Sequence, residues 1–349
     1  MCFCLSCVPS VIACSREKPH PAKGNRGEDA CFTLDGQTYF VAGIADGVGG
    51  WSQQGVDSGE YSRELMENAR KCAIDQELRQ DPKLLMDKAH VDMSDKKLGS
   101  CTACIVVIED NKLRYANLGD SGLLGYRPRT RETFARSEEQ QHSFNCPFQL
   151  GHDSGDSADD ARGEIVDVHE HDIIVLGTDG FFDNLHDKDI IRLLGTFMTK
   201  NLRQSNWPRG NHTAEAKATT AVASSSTMTP QEQARTLHTA TELAASLSTA
   251  TASTDLSSSS SSSLSDYLLS AESLQKLADH LVEEAHKVAK DPNALRTPFN
   301  EHALKKGKRF RGGKMDDIVR HTTRKHEQRG GTIEGDAHWA SVARCVPLC

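Results

Sequence analysis

Apolar runs in this chain are short and arrive in adjacent pairs, and that pairing limits the folds open to it. ACFTL and QTYFVAGIAD flank Asp35-Gly36, and an Asp-Gly pair between two apolar runs marks a β-hairpin. TACIVVIED and LRYANLGD form a second pair around a turn containing Asn111, SGLLGYRP follows, and GEIVDVHE with DIIVLGTD forms another. Residues 57–97 lack this pattern and carry helical spacing, broken at Asp81-Pro82 into two helices. FFDNLHDKDIIRLLGTFM reads as a loop entering a helix. Leu274, Leu277, Ala278, Leu281, Val282, Ala285, Val288 and Ala289 mark one face of a further helix that ends before Asp291-Pro292. Paired strands with helices grouped between them predict an α+β layered fold and argue against alternating βαβ units.

Other segments stand outside this pattern. Residues 1–20 read as a mixed leader, although SVIACS has the character of a short first strand. Residues 204–263 are rich in Ser, Thr and Ala, with seven consecutive serines at 257–263. Such a segment buries too little apolar surface to offset its ordering entropy, so it is expected to be a disordered insertion within one domain spanning 21–319. Residues 320–349 are expected to be a divergent, disordered tail. The 37% apolar share fits a chain with part of its length outside the core.

Charge and cysteine content exclude some functions. The net charge of −8 argues against nucleic-acid binding, which wants a basic face. Eleven cysteines without a secretory signal do not suggest a disulfide framework. Cys101 and Cys104, inside GSCTACIVVI, read as small buried hydrophobes. Cys2, Cys4 and Cys7 lack a second ligand group at zinc-site spacing. No apolar run reaches the roughly 18 residues of a membrane span.

Carboxylates at strand ends carry the chemistry. Glu28-Asp29, Asp46-Gly47, Asp120, Asp179-Gly180 and Asp316-Asp317 each sit at the end of an apolar strand, and most are followed by a glycine or another turn former. A single Asp-Gly is usually only a turn. Five instances in one context suggest convergence, because a strand end holds a short carboxylate in a fixed place. A following glycine lets the backbone bend so that its carbonyl reaches the same point. A cluster of that kind repels itself unless a cation joins it. Oxygen-only donors suit Mg2+ or Mn2+ rather than zinc.

AGIADGVGGW, ANLGDSG, GTDGFFDN and GGKMDDI resemble, in order and rough spacing, the successive signatures of the type 2C (PPM) metal-dependent phosphatases. NRGEDACF, GVDSGEYSREL, GSCTACIVVIED, SEEQQHSFNCPFQL and AKDPNALRTPFNEHA resemble one branch, the mitochondrial type that includes the T-cell-activation phosphatase. The resemblance covers about residues 25–200 and 268–318. It implies a four-layer α-β-β-α sandwich of two antiparallel sheets flanked by helices. It further implies two divalent cations at one edge, Mg2+ or Mn2+, with a third in some members. Asp46 would bridge the two and the Gly47 carbonyl would add a ligand. Asp179 and Asp316 would complete one shell, Glu28 and Asp29 would serve the other, partly through water, and Asp120 would hold the weaker third. The implied reaction is hydrolysis of phosphoserine and phosphothreonine by a cation-activated water, without a phosphoenzyme. Partners would be phosphoprotein substrates. The protein would act as a monomer, in mitochondria by resemblance or otherwise in the cytoplasm.

The chain departs from that pattern in places. Val48 stands where many members carry a histidine suggested as general acid. A phosphate-clamping arginine precedes the first acidic pair in the family; Arg26 is the candidate here at an unusual spacing, with Lys23 the other. His152, His169, Glu170 and His171 read as solvated loop residues rather than a zinc site, and Trp51 as packing under its loop. Beyond Ile318-Val319, RHTTRKHEQRGGTIEGD shows no strand alternation, so the core strand expected after the last metal aspartate is missing. That loss would expose a neighbouring strand's backbone and loosen Asp316. It leaves a second reading open, a weak or dead relative that only binds phosphoproteins.

Overall fold

The structure, a computed structural model, describes residues 7–15, 27–94, 97–151, 154–169, 171–202, 271–314 and 339–347. The first hairpin joins β2 (Asp29–Asp35) to β3 (Tyr39–Asp46), with Gly36 N–H donating to the Tyr39 carbonyl across the Asp-Gly turn. Next come a 3-10 turn (Gly49–Gln54) and α1 (Ser58–Cys72), α2 (Gln76–Gln80) and α3 (Pro82–Val91). The break at Asp81-Pro82 is where the sequence places it: Pro82 opens α3 and the Asp81 carboxylate caps it. A second break, after Cys72, divides the segment into three helices rather than two.

The strands continue with β4 (Ser100–Cys101), β5 (Ala103–Glu109), β6 (Lys112–Leu118), β7 (Gly122–Arg127) and β8 (Glu132–Arg136). Three short strands follow: β9 (Gln141–Ser143), β10 (Cys146–Pro147) and β11 (Leu150–Gly151). β12 (Ile165–Asp167) and β13 (Ile173–Gly177) lead into the one-turn α4 (Asp179–Phe182) and α5 (Asp187–Leu202). The chain then carries α6 (Ala271–Lys290) and α7 (Pro298–Lys305). Two strands at opposite ends of the sequence, β1 (Cys7–Ser15) and β14 (Trp339–Pro347), pair with each other.

Two five-stranded antiparallel sheets result, ordered β12-β6-β5-β3-β2 and β1-β14-β13-β7-β8. Both faces of β3 and β5 are buried, which is why their sequences read as continuous apolar runs. Phe40, Ala42, Ile44, Cys104, Val106 and Ile108 face the inter-sheet core with Leu123, Ile174 and Leu176. The alternate residues Val41, Ala45, Ala103, Ile105 and Val107 pack outward against Tyr61, Leu65, Met66, Leu85 and Met86 of α1 and α3. On the far side α6 lies against β1 and β14, with Leu274, Leu277, Ala278, Leu281, Ala285 and Ala289 buried. This is the four-layer sandwich that the motif resemblance implies.

Two expectations fail at the chain ends. The core strand is present: β14 lies between β1 and β13, in register from Trp339 to Pro347. It begins 22 positions after Asp317, beyond the polar stretch in which no alternation is visible. The segment expected to be a leader supplies β1, in a longer form than SVIACS, and β1 covers the outer edge of β14. The serine-rich segment 204–263 lies outside the described residues. Among the described residues no helix is long and apolar enough to cross a membrane.

Candidate active site

The turn from β3 toward α1 builds the first corner of the site. Asp29 and Asp46 are register partners on β2 and β3, so both carboxylates stand at the same end of one sheet. Gly47 N–H donates to the Glu28 carbonyl at 3.0 Å, and Ser62 Oγ donates to the same oxygen at 2.6 Å. Ser58 Oγ donates to Glu28 Oε1 at 3.1 Å. Gly47 has no alternative here, because a Cβ on it would stand 2.7 Å from the Glu28 carbonyl oxygen and 2.8 Å from Ser58 backbone atoms. Arg63 closes the N-terminal side, donating to the Gly27 carbonyl at 3.1 Å and pairing with Asp57 at 3.3 Å.

Hydrogen bonds then run from one sheet to the other. Asp46 N–H donates to Thr102 Oγ1 at 3.2 Å, Thr102 N–H returns to the Asp46 carbonyl at 2.9 Å, and Thr102 Oγ1 meets Ser121 Oγ at 2.7 Å. Ser121 adjoins Asp120 at the mouth of β7. A second link is more direct. Thr178 is the residue before α4, a position whose side chain ordinarily caps its own helix. Its hydroxyl instead donates to Asp29 Oδ2 at 3.1 Å, across 149 residues of sequence, and Asp29 is fully buried. Asp179 is the next residue, so Glu28, Asp29, Asp46, Gly47, Asp120 and Asp179 share one end of the sandwich.

Asp179 and Asp120 belong to a second group with Asp183 and Lys314. Lys314 Nζ donates to Asp179 Oδ2 at 2.5 Å and to Asp183 Oδ2 at 2.6 Å, and its side chain is only 8% exposed. Burial pushes the Asp183 carboxyl up to about 7; Lys314 opposes the shift and Asp179 adds to it. Asp120 is raised well above the ordinary carboxylate range, first by loss of solvent and then by the charge of Asp179. Asp120 also accepts from Gln141 Nε2 at 3.2 Å. A cavity of about 410 Å3 opens beside this group, lined by Asp120, Arg136, Asp183, His186 and Lys188 among others.

Backbone contacts hold the Lys314 segment down. Asn184 uses its amide as a clamp: Nδ2 donates to the Lys314 carbonyl at 3.0 Å, and Oδ1 accepts Lys314 N–H at 3.0 Å. Asn300 Nδ2 donates to the Gly312 carbonyl at 3.0 Å. Gly313 lies so close to α6 that a Cβ there would stand 2.1 Å from the Val288 carbonyl oxygen. The motif glycines are therefore spacing devices for a segment laid on a helix.

Sequence-derived candidates divide three ways. Glu28, Asp29, Asp46, Gly47, Asp120 and Asp179 come to one rim. Asp316, Arg26, Lys23, His152 and Glu170 lie outside the described residues. Trp51 is half-buried, its Nε1 donates to Ser100 Oγ at 2.6 Å, and it lines a cavity of about 610 Å3. Val48 is fixed by its N–H to the Ser100 carbonyl, and His169 N–H is held by Asp172. Thr178, Asp183, Asn184 and Lys314 were not singled out. Three of the four lie inside GTDGFFDN, and the fourth inside GGKMDDI, so the motifs pointed at them without revealing their bonds.

Among the described residues no three acidic, histidine or cysteine side chains form a group that could hold a metal ion. The carboxylates at this rim are oxygen donors, the chemistry that would fit Mg2+ or Mn2+.

The family model for protein phosphatase 2C matches residues 16–217. The chain belongs to the protein phosphatase 2C family. The human protein phosphatase PTC7 homolog is 32% identical over 307 residues, covering 84% of this chain and 77% of that one. A protein of Arabidopsis thaliana named probable protein phosphatase 2C 26 is 36% identical over 204 residues, 55% of this chain and 67% of its own length. Among solved structures, that of the photosystem II phosphatase PBCP matches with a TM-score of 0.61 at 25% identity, covering 96% of this chain and 98% of that one. Membership makes the chain a metal-dependent protein serine/threonine phosphatase by class, and the family resemblance read from its motifs holds.

Proposed function

We propose that this phosphatase hydrolyses phosphoserine and phosphothreonine in proteins with two divalent cations, Mg2+ or Mn2+. Asp46 would be shared between them, with the Gly47 carbonyl, Glu28 and Asp29 on one side and Asp179 and Asp316 on the other. Bound there, the cations supply charge to the phosphoryl oxygens and acidify the attacking water. The observation that carries the reading is the Thr178–Asp29 hydrogen bond. It ties the end of β13 to the start of β2, while strand register sets Asp29 against Asp46.

The chain's own groups divide the remaining work. At the β2–β3 corner Gly47 and Ser62 hold the Glu28 backbone carbonyl and Ser58 holds its carboxylate. Rigid placement of this sort avoids reorganisation during reaction. The Asn184 clamp anchors the backbone of Lys314, which precedes Asp316 by two residues in the sequence. Val48 has no proton to give, so the leaving oxygen takes its proton from another source. Arg26 remains the proposed clamp for substrate phosphate.

The domain would span residues 21–319 as read from the motifs, with β1 and β14 added beside β13 at one edge of its sheet. A missing core strand was the reason to consider a dead relative, and β14 removes it. Residence in mitochondria is proposed from the likeness to the PTC7 homolog branch. The test of the substrate class is a comparison of phosphopeptides with small phosphate esters, with Mn2+ and with EDTA. Mn2+-dependent turnover favouring phosphopeptides is expected; preference for a small ester would contradict the proposal.

A further inference from the structure

Lys305, Lys306, Lys308, Arg309 and Arg311 place five cations within seven residues of a chain whose net charge is −8. All five are exposed, and among the described residues no carboxylate pairs with any of them. A run of like charges repels itself and is ordinarily just a solvated stretch, but this one is held in shape. Gly307, at φ +72°, turns the chain out of α7, and Lys308 N–H donates back to the Ala303 carbonyl at 2.9 Å. Further on, Gly312 N–H donates to the Ala294 carbonyl at 2.9 Å and Gly313 N–H to the Asp291 carbonyl at 3.0 Å. Between these anchors the Phe310 ring lies 5.0 Å from Phe299 and 5.7 Å from Phe144. Lys308 Nζ stands 4.6 Å from the centre of the Phe144 ring, and Arg311 donates to Asn293 Oδ1 at 3.1 Å. Lys305, Lys306 and Arg309 make no side-chain bond among the described residues.

This loop stands beside the rim. Pro298, Glu301 and His302 of α7 line the cavity next to Asp120 and Asp183, and Phe299 N–H donates to the Asp183 carbonyl at 3.2 Å. Glu139 and Glu301, on the walls of that cavity, meet His302 and His186 at 3.4 and 3.8 Å, and neither neutralises the loop. We infer that residues 305–311 are a docking surface for a run of Asp and Glu side chains near the phosphorylated residue of a protein substrate. The inference rests on the phosphoprotein reading above and narrows its substrate class. Uncompensated like charges held together by the backbone are relieved by an anionic partner, and a phosphoprotein arrives at the adjacent rim. An extended peptide advances about 3.3 Å per residue, so acidic residues about three to five positions from the phosphoresidue come over the loop. A bilayer fits less well. Phe310 is committed to two other rings, and an anionic membrane repels the rest of an acidic chain, whereas a peptide meets only the patch.

The test gives the full chain two phosphothreonine peptides at fixed free Mn2+, identical except that one carries Asp and Glu where the other carries Asn and Gln. Wild type is expected to favour the acidic peptide about 10-fold in kcat/KM, through KM, and less so as NaCl rises and screens the charges. A triple variant, Lys305→Gln with Lys306→Gln and Arg309→Gln, keeps the Lys308–Phe144 and Arg311–Asn293 contacts. It is expected to treat the two peptides alike. Equal kcat/KM for both peptides in wild type overturns the inference, as does an acidic preference that the triple variant keeps. Binding of the acidic peptide without its phosphate, followed by fluorescence anisotropy, is expected to weaken about 10-fold in the variant; unchanged binding overturns the inference as well. A wild type that hydrolyses neither peptide with Mn2+ sinks the phosphatase reading, and the anisotropy result still decides the loop. Attachment to phosphatidylglycerol vesicles that is lost in the variant, with no preference between peptides, would assign the patch to a membrane and overturn the docking surface.

Discussion

Thr178 shows how much of the site depends on one hydroxyl. It stands before a one-turn helix and bonds away from it, to a fully buried Asp29 on the other sheet. Groups that orient metal ligands matter nearly as much as the ligands. Thr178→Val keeps the volume and removes the donor. Its Mn2+ affinity, read by titration, is expected to fall about 10–100-fold with the circular dichroism spectrum unchanged; unaltered affinity would contradict this role. Asp46, Asp120 and Asp179 were visible in the sequence because each interrupts an apolar run beside a glycine or a turn. Lys314 was not visible. A lysine in GGKMDDI looks like a solvated turn residue, and its burial comes from contacts 130 and more residues away.

At the scale of elements, the ends of strands carry both structure and site. Arg127 at the end of β7 gives three hydrogen bonds of 2.7–3.3 Å to the carboxylate of Asp172, which precedes β13 and is fully buried. Removing one partner of a buried pair leaves the other charge stranded. Arg127→Met is expected to cost about 3–5 kcal/mol in urea denaturation; a loss under about 1 kcal/mol, the value of an exposed pair, would show that Asp172 is solvated. Cys104 lies within β5 and burial pushes its thiol up to about 12. The thiolate is the reactive form, so at pH 8 a thiol reagent is expected to leave Cys104 unmodified until the protein unfolds. Hairpins were legible from turn chemistry, as at Asp35-Gly36. β14 was not legible because its place in the sheet depends on a partner, β1, at the other end of the chain.

The sandwich pairs strands that lie far apart in the sequence, β1 and β14. β14 pairs on both sides, with β1 and with β13, so chain lacking residues 339–349 would bare two strand edges. That truncation is expected to abolish cooperative thermal unfolding and to aggregate; a soluble, cooperatively melting product would remove β14 from the core. The layered class followed from paired apolar runs, and the likeness to type 2C phosphatases followed from four motifs in order. What neither could give is how the two sheets meet at the rim, because hydrogen bonds such as Thr102–Ser121 and Thr178–Asp29 join residues with no local signal. The central claim is that this rim holds cations through Asp46. It is tested most directly by phosphate release from a phosphothreonine peptide with Mn2+, comparing wild type with Asp46→Asn. The account predicts a loss on the order of several kcal/mol in barrier, about 1,000-fold in rate, with the fold intact. Equal metal-dependent rates in the two proteins would contradict it.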